Sequence, residues 1–171
     1  HGALRGVLAR AGCHTTVVES KAERRALLPD HFTRGMNSLG HPGRRDRLQA
    51  VGSLDEVNWP AVDLVIECVP ERIDIKAALF AELERRARPD ALLASNSSSF
   101  PISAIATELK TASRMLGLHF FMPAHLVPLV EVILGKASTP VHGDTLVAFM
   151  RACGMVPVLV KKDLPGFLAN R

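Results

Sequence analysis

Residues 61–69 read AVDLVIECV, an almost unbroken run of apolar and β-branched side chains. A strand with one wet face alternates apolar and polar residues. This run does not, so both of its faces are to be covered, as for a strand inside a parallel sheet with helices on either side. The flanking sequence agrees. Pro70-Glu71 ends the run, and residues 73–87 follow as an amphipathic helix with Ile75, Leu79, Phe80 and Leu83 on one face. Pro89-Asp90 turns the chain into a strand at 91–94, a polar run Ser95-Asn96-Ser97-Ser98-Ser99, and a helix at 101–109. Two short apolar strands are expected at 115–121 and 126–134, a helix at 140–153 closed by Gly154, and a last strand at 156–160. Strands alternate with helices, which predicts an α/β fold: a Rossmann-type, doubly wound, mostly parallel sheet.

The first third of the chain fits the same scheme. Residues 2–11 have helical spacing, Gly12 is placed to end that helix, and 15–18 is a β-branched strand closed by Glu19. Helix, glycine, strand and acid form the second half of a dinucleotide-binding βαβ unit, in which the acid bonds the adenosine ribose. Glu19 holds that position, although strand–acid junctions are common elsewhere. Gly2 and Gly6 either allow close packing or are ordinary helix glycines. Residues 20–39 are helical in character, with Ser20 as N-cap and Pro29 as an interruption; 41–47 is a basic loop and 48–51 a short strand. The first strand and glycine-rich turn of the unit would precede His1. The start at His1 and the final GFLANR, which stops within an apolar pattern, lead us to expect a piece of a longer chain, truncated at both ends.

Two places carry candidate chemistry. The polar cluster 95–99 follows a strand's carboxyl end, where open parallel sheets bind ligands, but the same residues also suit a turn and N-cap. The second place is GLHFFMPAHLVPLVEV at 117–132, where His119 and Glu131 are set into apolar runs. Either one buried without a partner costs several kcal/mol, roughly, so pairing with each other is the simplest solution. A carboxylate on one ring nitrogen fixes the tautomer and leaves the other nitrogen as a base. A satisfied core histidine fits the same stretch.

Composition narrows the class. The net charge is +4, from 21 basic and 17 acidic residues, with Arg44, Arg45 and Arg47 the densest cluster. That cluster reads as a solvated loop. With no tyrosine and one tryptophan there is no base-stacking platform, and no nucleic-acid partner is expected. A basic surface suits an anionic cofactor or substrate. No apolar run reaches membrane-spanning length, so no membrane partner is expected. Cys13, Cys68 and Cys153 are odd in number and form no CxxC, which points to a reducing, cytoplasmic compartment, and no cluster has metal-ligand spacing.

Four segments together, VIECVPERIDIK (65–76), LLASNSSSFPIS (92–103), GLHFFMPAHLVPLVEV (117–132) and KKDLPGFLANR (161–171), resemble the NAD-binding domain of the L-3-hydroxyacyl-CoA dehydrogenase family in order and spacing. The resemblance implies residues 1–165 as the Rossmann-type NAD-binding domain, incomplete at its start. Residues 166–171 would open an all-helical domain that carries dimer contacts and part of the substrate site. It implies NAD as cofactor, preferred over NADP because the Glu19 carboxylate repels a 2′-phosphate. His119 matches the general base, Glu131 the acid that orients it, Ser98 the serine that bonds the substrate oxygen, and Asn170 the asparagine that polarises the carbonyl. Glu71 and Lys76 match positions lining the NAD site, with Asn96 and Ser98 in the polar cluster and Met122 at the nicotinamide end.

Three departures qualify the resemblance. The family usually reads HFFNP, and Met122 replaces the amide, which removes paired hydrogen bonds worth about 1–2 kcal/mol. The stretch between Glu19 and Glu67 is shorter than in acyl-CoA members by roughly a dozen residues, which reduces the arm that touches CoA. The glycine-rich loop is not in the sequence, so these 171 residues alone are expected to bind NAD weakly and to be inactive. The expected function is hydride transfer between the 3-hydroxyl carbon of an L-3-hydroxyacyl-CoA and NAD, a step of fatty-acid β-oxidation, in a protein that is a homodimer when complete. ECVPE also resembles relatives that oxidise small free hydroxy acids, of the L-gulonate or carnitine type, and a non-catalytic relative is the third reading.

Overall fold

The computed structural model describes residues 7–8, 11–38, 47–121 and 127–170. The chain divides into two compact units. One comprises His1–Asn58, Phe121–Pro128 and Ala152–Met155, the other Trp59–Phe120, Leu129–Arg151 and Val156–Arg171.

In the first unit, β1 (Thr15–Val18) and β2 (Leu48–Val51) pair in parallel, Thr15 opposite Leu48 and Val18 opposite Val51. The crossover that parallel neighbours require contains α1 (Ala22–Ala26) and α2 (Leu28–Ser38). Phe32 of α2 is fully buried against Leu48. The one helix expected over 20–39 is therefore two. Leu27 caps α1, and Pro29 falls in the first turn of α2, where its missing N–H costs nothing. Lys21, not Ser20, is the N-cap of α1, and its N–H goes to Glu19 Oε1 at 3.0 Å. Val7 and Leu8 are helical, and the N–H groups of Ala11 and Cys13 bond back to their carbonyls around Gly12, whose φ of +83° favours glycine. Burial raises the pKa of the Cys13 thiol, against a hydrogen bond with Cys153 and the charge of Arg47. Gly2, Gly6, Arg44 and Arg45 lie outside the described residues.

The second unit holds a sheet of β3 (Leu64–Glu67), β4 (Leu92–Ser95), β5 (Met115–Phe120), β6 (Leu129–Leu134) and β7 (Val156–Val160), in that spatial order. The pairs β3–β4, β4–β5 and β6–β7 are parallel; β5–β6 is antiparallel. The parallel connections carry α3 (Ile73–Arg86), α4 (Ile102–Ile105) and α5 (Pro140–Ala152). The stretch 121–128 is shorter than the dozen or so residues a parallel crossover needs, so β6 runs back beside β5. The described strands thus form two sheets, one of two strands and one of five.

Close packing positions the centre of this sheet. A Cβ on Gly117 of β5 would meet Ile133 Cδ1 at 2.8 Å and Ile102 Cδ1 at 2.9 Å, so glycine lets α4 and β6 close on β5. The helix expected over 101–109 is a single turn. Its N–H groups at Ile102 and Ser103 are held by the Asp163 carboxylate at 2.6 and 2.8 Å, and past Ala106 the chain tightens, Leu109 N–H bonding Ala106 O. The new helix expected after residues 164–166 is absent from the described residues. That stretch is a series of turns with Gly166 at φ +76° and Phe167 at φ +54°, and two successive left-handed residues do not propagate a right-handed helix. No helix among the described residues is long and apolar enough to cross a membrane.

Candidate functional site

The antiparallel register places His119 directly opposite Glu131. Both are buried, at 5% and 2% exposure, and His119 Nδ1 lies 2.7 Å from Glu131 Oε2. The other carboxylate oxygen, Oε1, accepts the backbone N–H groups of Leu168 at 2.9 Å and Ala169 at 3.2 Å. A carboxylate is an acceptor toward the ring, so Nδ1 donates to it and Nε2 is the ring nitrogen that Glu131 does not hold.

Residues 164–170 tie this pair to the polar cluster. Gly166 N–H bonds Ser99 O at 3.2 Å, and Asn170 Nδ2 donates to Ser98 O at 3.0 Å. Phe167, fully buried, sets its ring 5.8 Å from the His119 ring, centroid to centroid, at 52°. Its left-handed backbone costs about 1 kcal/mol in a non-glycine residue, which the surrounding bonds sustain. His119, Glu131, Ser98 and Asn170 are thus all linked through one turn. Phe167 was not found from the sequence; the only signal was the LPGF stretch.

Beneath the cluster is a charged network of which the sequence reading named only part. Lys76, on the apolar face of α3, is 1% exposed and donates to Glu67 Oε1 and Oε2 at 2.8 and 3.0 Å, to Val69 O at 3.3 Å, and pairs with Glu71 Oε2 at 3.2 Å. Glu67, also buried, accepts Ser95 Oγ at 2.7 Å and Val69 N–H at 2.5 Å. Lys76, expected from the resemblance at the cofactor site, is thus bound within this buried network. Glu71 Oε1 gathers the hydroxyls of Ser97 and Ser99 and the N–H groups of Ser98 and Ser99. Partial burial raises the Glu71 pKa, but the Ser97 and Ser99 hydroxyls, the Lys76 charge and the Ser99 N–H prevail and hold it at about 2. Glu67 was missed, and Ser95 and Ser97 were read only as members of the polar cluster, because a glutamate and small serines in a buried strand and turn give no periodic signal.

Of the other expected site residues, Asn96 accepts the Phe120 N–H on its Oδ1 at 3.0 Å, joining the ends of β4 and β5. Ser98 is exposed. Glu19 follows β1 in the first unit, its N–H bonded to Val51 O at 3.0 Å and its backbone carbonyl to Arg25 Nη1 at 2.7 Å. Met122 lies outside the described residues. Because β3, β4 and β5 are parallel, their carboxyl ends bring Glu71, Ser98 and His119 to one end of the sheet.

Comparison with known proteins fits this geometry. Residues 3–164 match the family described as 3-hydroxyacyl-CoA dehydrogenase, NAD binding domain. The structure is similar to 3-hydroxybutyryl-CoA dehydrogenase from Escherichia coli, at 34% identity and TM-score 0.89 over 98% of this chain and 37% of that one. It is similar to FadB2 of M. tuberculosis, at 32% identity and TM-score 0.87 over 99% and 62%. A third, at 30% identity and TM-score 0.86 over 98% and 56%, is 5-formyl-3-hydroxy-2-methylpyridine 4-carboxylic acid 5-dehydrogenase, an NAD+-dependent dismutase. The chain thus spans between about a third and two thirds of the length of these relatives. Matched over nearly all of its residues, it belongs to the 3-hydroxyacyl-CoA dehydrogenase family and carries that family's NAD-binding domain.

Proposed function

We propose that this domain serves a dehydrogenase that interconverts an L-3-hydroxyacyl-CoA and its 3-keto product, with His119 as general base. The His119–Glu131 pair is the observation that carries the reading. In the oxidation direction Nε2 takes the proton of the 3-hydroxyl, while Nδ1–H stays on Glu131, whose charge stabilises the imidazolium that forms. NAD, when bound, supplies the acceptor for the hydride leaving C3. The residues present fit it: an ionised Glu71, the exposed Ser98 and the imidazole stand together at the carboxyl end of a parallel sheet, where such ligands bind. Glu71, Asn96 and Ser98 would hold the nicotinamide half, and Lys76 would fix Glu71 from below. Glu19, in its own unit, would bond the adenosine ribose, with Met122 beside the nicotinamide. Ser98 and Asn170, already joined, would bind and polarise the substrate oxygen. Residues 166–171 would begin a helical domain through which the complete protein dimerises; the substrate would place it in fatty-acid β-oxidation, and the cysteine usage in the cytoplasm.

A second reading, oxidation of a small free hydroxy acid, is favoured by the short segment between Glu19 and Glu67. The relative whose name specifies a pyridine carboxylic acid, at 30% identity, points the same way. NADH absorbance measured on the full-length protein separates the two. Oxidation of NADH with acetoacetyl-CoA and none with free 3-keto acids supports the thioester; the reverse supports the free acid. Activity that survives His119→Gln refutes the base assignment for both.

A further inference from the structure

We propose that Phe167 is a positioning residue for the catalytic imidazole: its ring holds the plane of His119, and its left-handed backbone aims two N–H groups at Glu131. The identification of His119 as the base is taken from the reading above; the placement of its ring is a separate matter.

Phe167 is fully buried, although it sits in a turn between two exposed leucines, Leu164 and Leu168. Its side chain has turned inward, and the ring lies beside the His119 ring at 5.8 Å and 52°, the tilted arrangement aromatic rings favour. Glu131 fixes the imidazole at Nδ1, and a flat apolar neighbour packed beside the ring restricts its rotation about that bond. The backbone supplies the second part. With Gly166 and Phe167 both at positive φ, the next two N–H groups, of Leu168 and Ala169, converge on Glu131 Oε1. Successive N–H groups converging in this way make a small anion-binding nest, here occupied by the residue that orients the base. Glycine would adopt this φ without strain. A phenylalanine there sacrifices backbone comfort to place a ring, the pattern expected of strain retained at a working site.

The test uses the full-length protein with labelled histidine, and reads the His119 Nδ1–H proton by NMR beside turnover. In the unaltered protein that proton is expected to exchange slowly with water and to show a cross-relaxation contact with the Phe167 ring. Phe167→Leu keeps apolar bulk but no flat face. Phe167→Gly relieves the backbone and removes the ring. Both are expected to speed exchange of the proton by about tenfold or more and to lower kcat by a similar factor, with KM for NAD unchanged. Wild-type exchange and kcat within about twofold in both variants would overturn the proposal and leave Phe167 as packing alone. If neither variant folds, the contact and slow exchange in the unaltered protein decide: their absence overturns it, their presence supports it. Turnover insensitive to His119→Gln, with the NMR signature intact, would refute the base assignment while supporting the placement of the ring.

Discussion

Glu131→Gln tests the site most sharply, because its cost follows from counting donors and acceptors. The carboxylate accepts three hydrogen bonds, from His119 Nδ1 on one oxygen and from the N–H groups of Leu168 and Ala169 on the other. Glutamine has one acceptor oxygen and one NH2. With its oxygen toward the ring, the NH2 faces the two part-buried N–H donors, which at about 1–3 kcal/mol for each unmet buried donor costs at most roughly 2–6 kcal/mol. With its oxygen toward the backbone, the NH2 donates to Nδ1 and forces the ring proton onto Nε2, the wrong tautomer for a base. The second arrangement is the cheaper, so the protein stays folded while the base is disabled. The expected loss in kcat is about 10²–10⁴-fold, equivalent to roughly 3–5 kcal/mol of transition-state stabilisation. The assay is kcat of the full-length variant at neutral pH with saturating NAD, beside thermal unfolding to confirm the fold. A folded variant whose kcat falls less than about tenfold would show that Glu131 does not govern the tautomer.

Three further outcomes are expected. Lys76→Met strands a buried carboxylate at Glu67 and destabilises by about 3–5 kcal/mol, read as a lower urea midpoint, and pairing it with Glu67→Met recovers part of the loss. Gly117→Ala drives a methyl into Ile133 and Ile102 and costs about 1–3 kcal/mol by the same measurement; a neutral result would mean that β5 and β6 part easily. Because Glu71 is depressed from 4.5 to about 2, its contribution to stability is complete above pH 4.5 and is lost as pH falls toward 2. Thermal unfolding across that window should therefore decline less steeply in Glu71→Gln than in the unaltered protein, and parallel curves would sink the claim.

The elements that could be read from the sequence were those with a long-range hydrophobic period. The run at 61–69 was seen because burial on both faces writes itself into residue after residue, although only Leu64–Glu67 is strand. The bounds of β7 were read correctly. Elements decided by a distant partner were misread: α4 ends after one turn under a cap from Asp163, sixty residues away in sequence, and residues 164–170 fold around Glu131 instead of continuing as helix. The antiparallel sense of β6 depended on the length of a connection, which strand patterning does not record. At the site, His119 and Glu131 stood out as polar residues in apolar runs and do meet. Lys76 was named only through the resemblance, because nothing in one dimension shows that Glu67, nine residues earlier, meets it across the strand–helix junction.

The antiparallel pairing of β5 and β6 also governs which changes of chain length the domain can tolerate. His119 meets Glu131 because both are counted from the same ladder, in which Val130 and Val132 stand beside Phe120 and Leu118. Residues added or removed within 121–128 alter the link and leave the ladder's count intact. A single residue inserted inside β6 instead slides a valine opposite the histidine and turns the carboxylate to the other face of the sheet. Insertions and deletions between the two strands therefore leave His119 opposite Glu131, while a one-codon slip within either strand parts them at once.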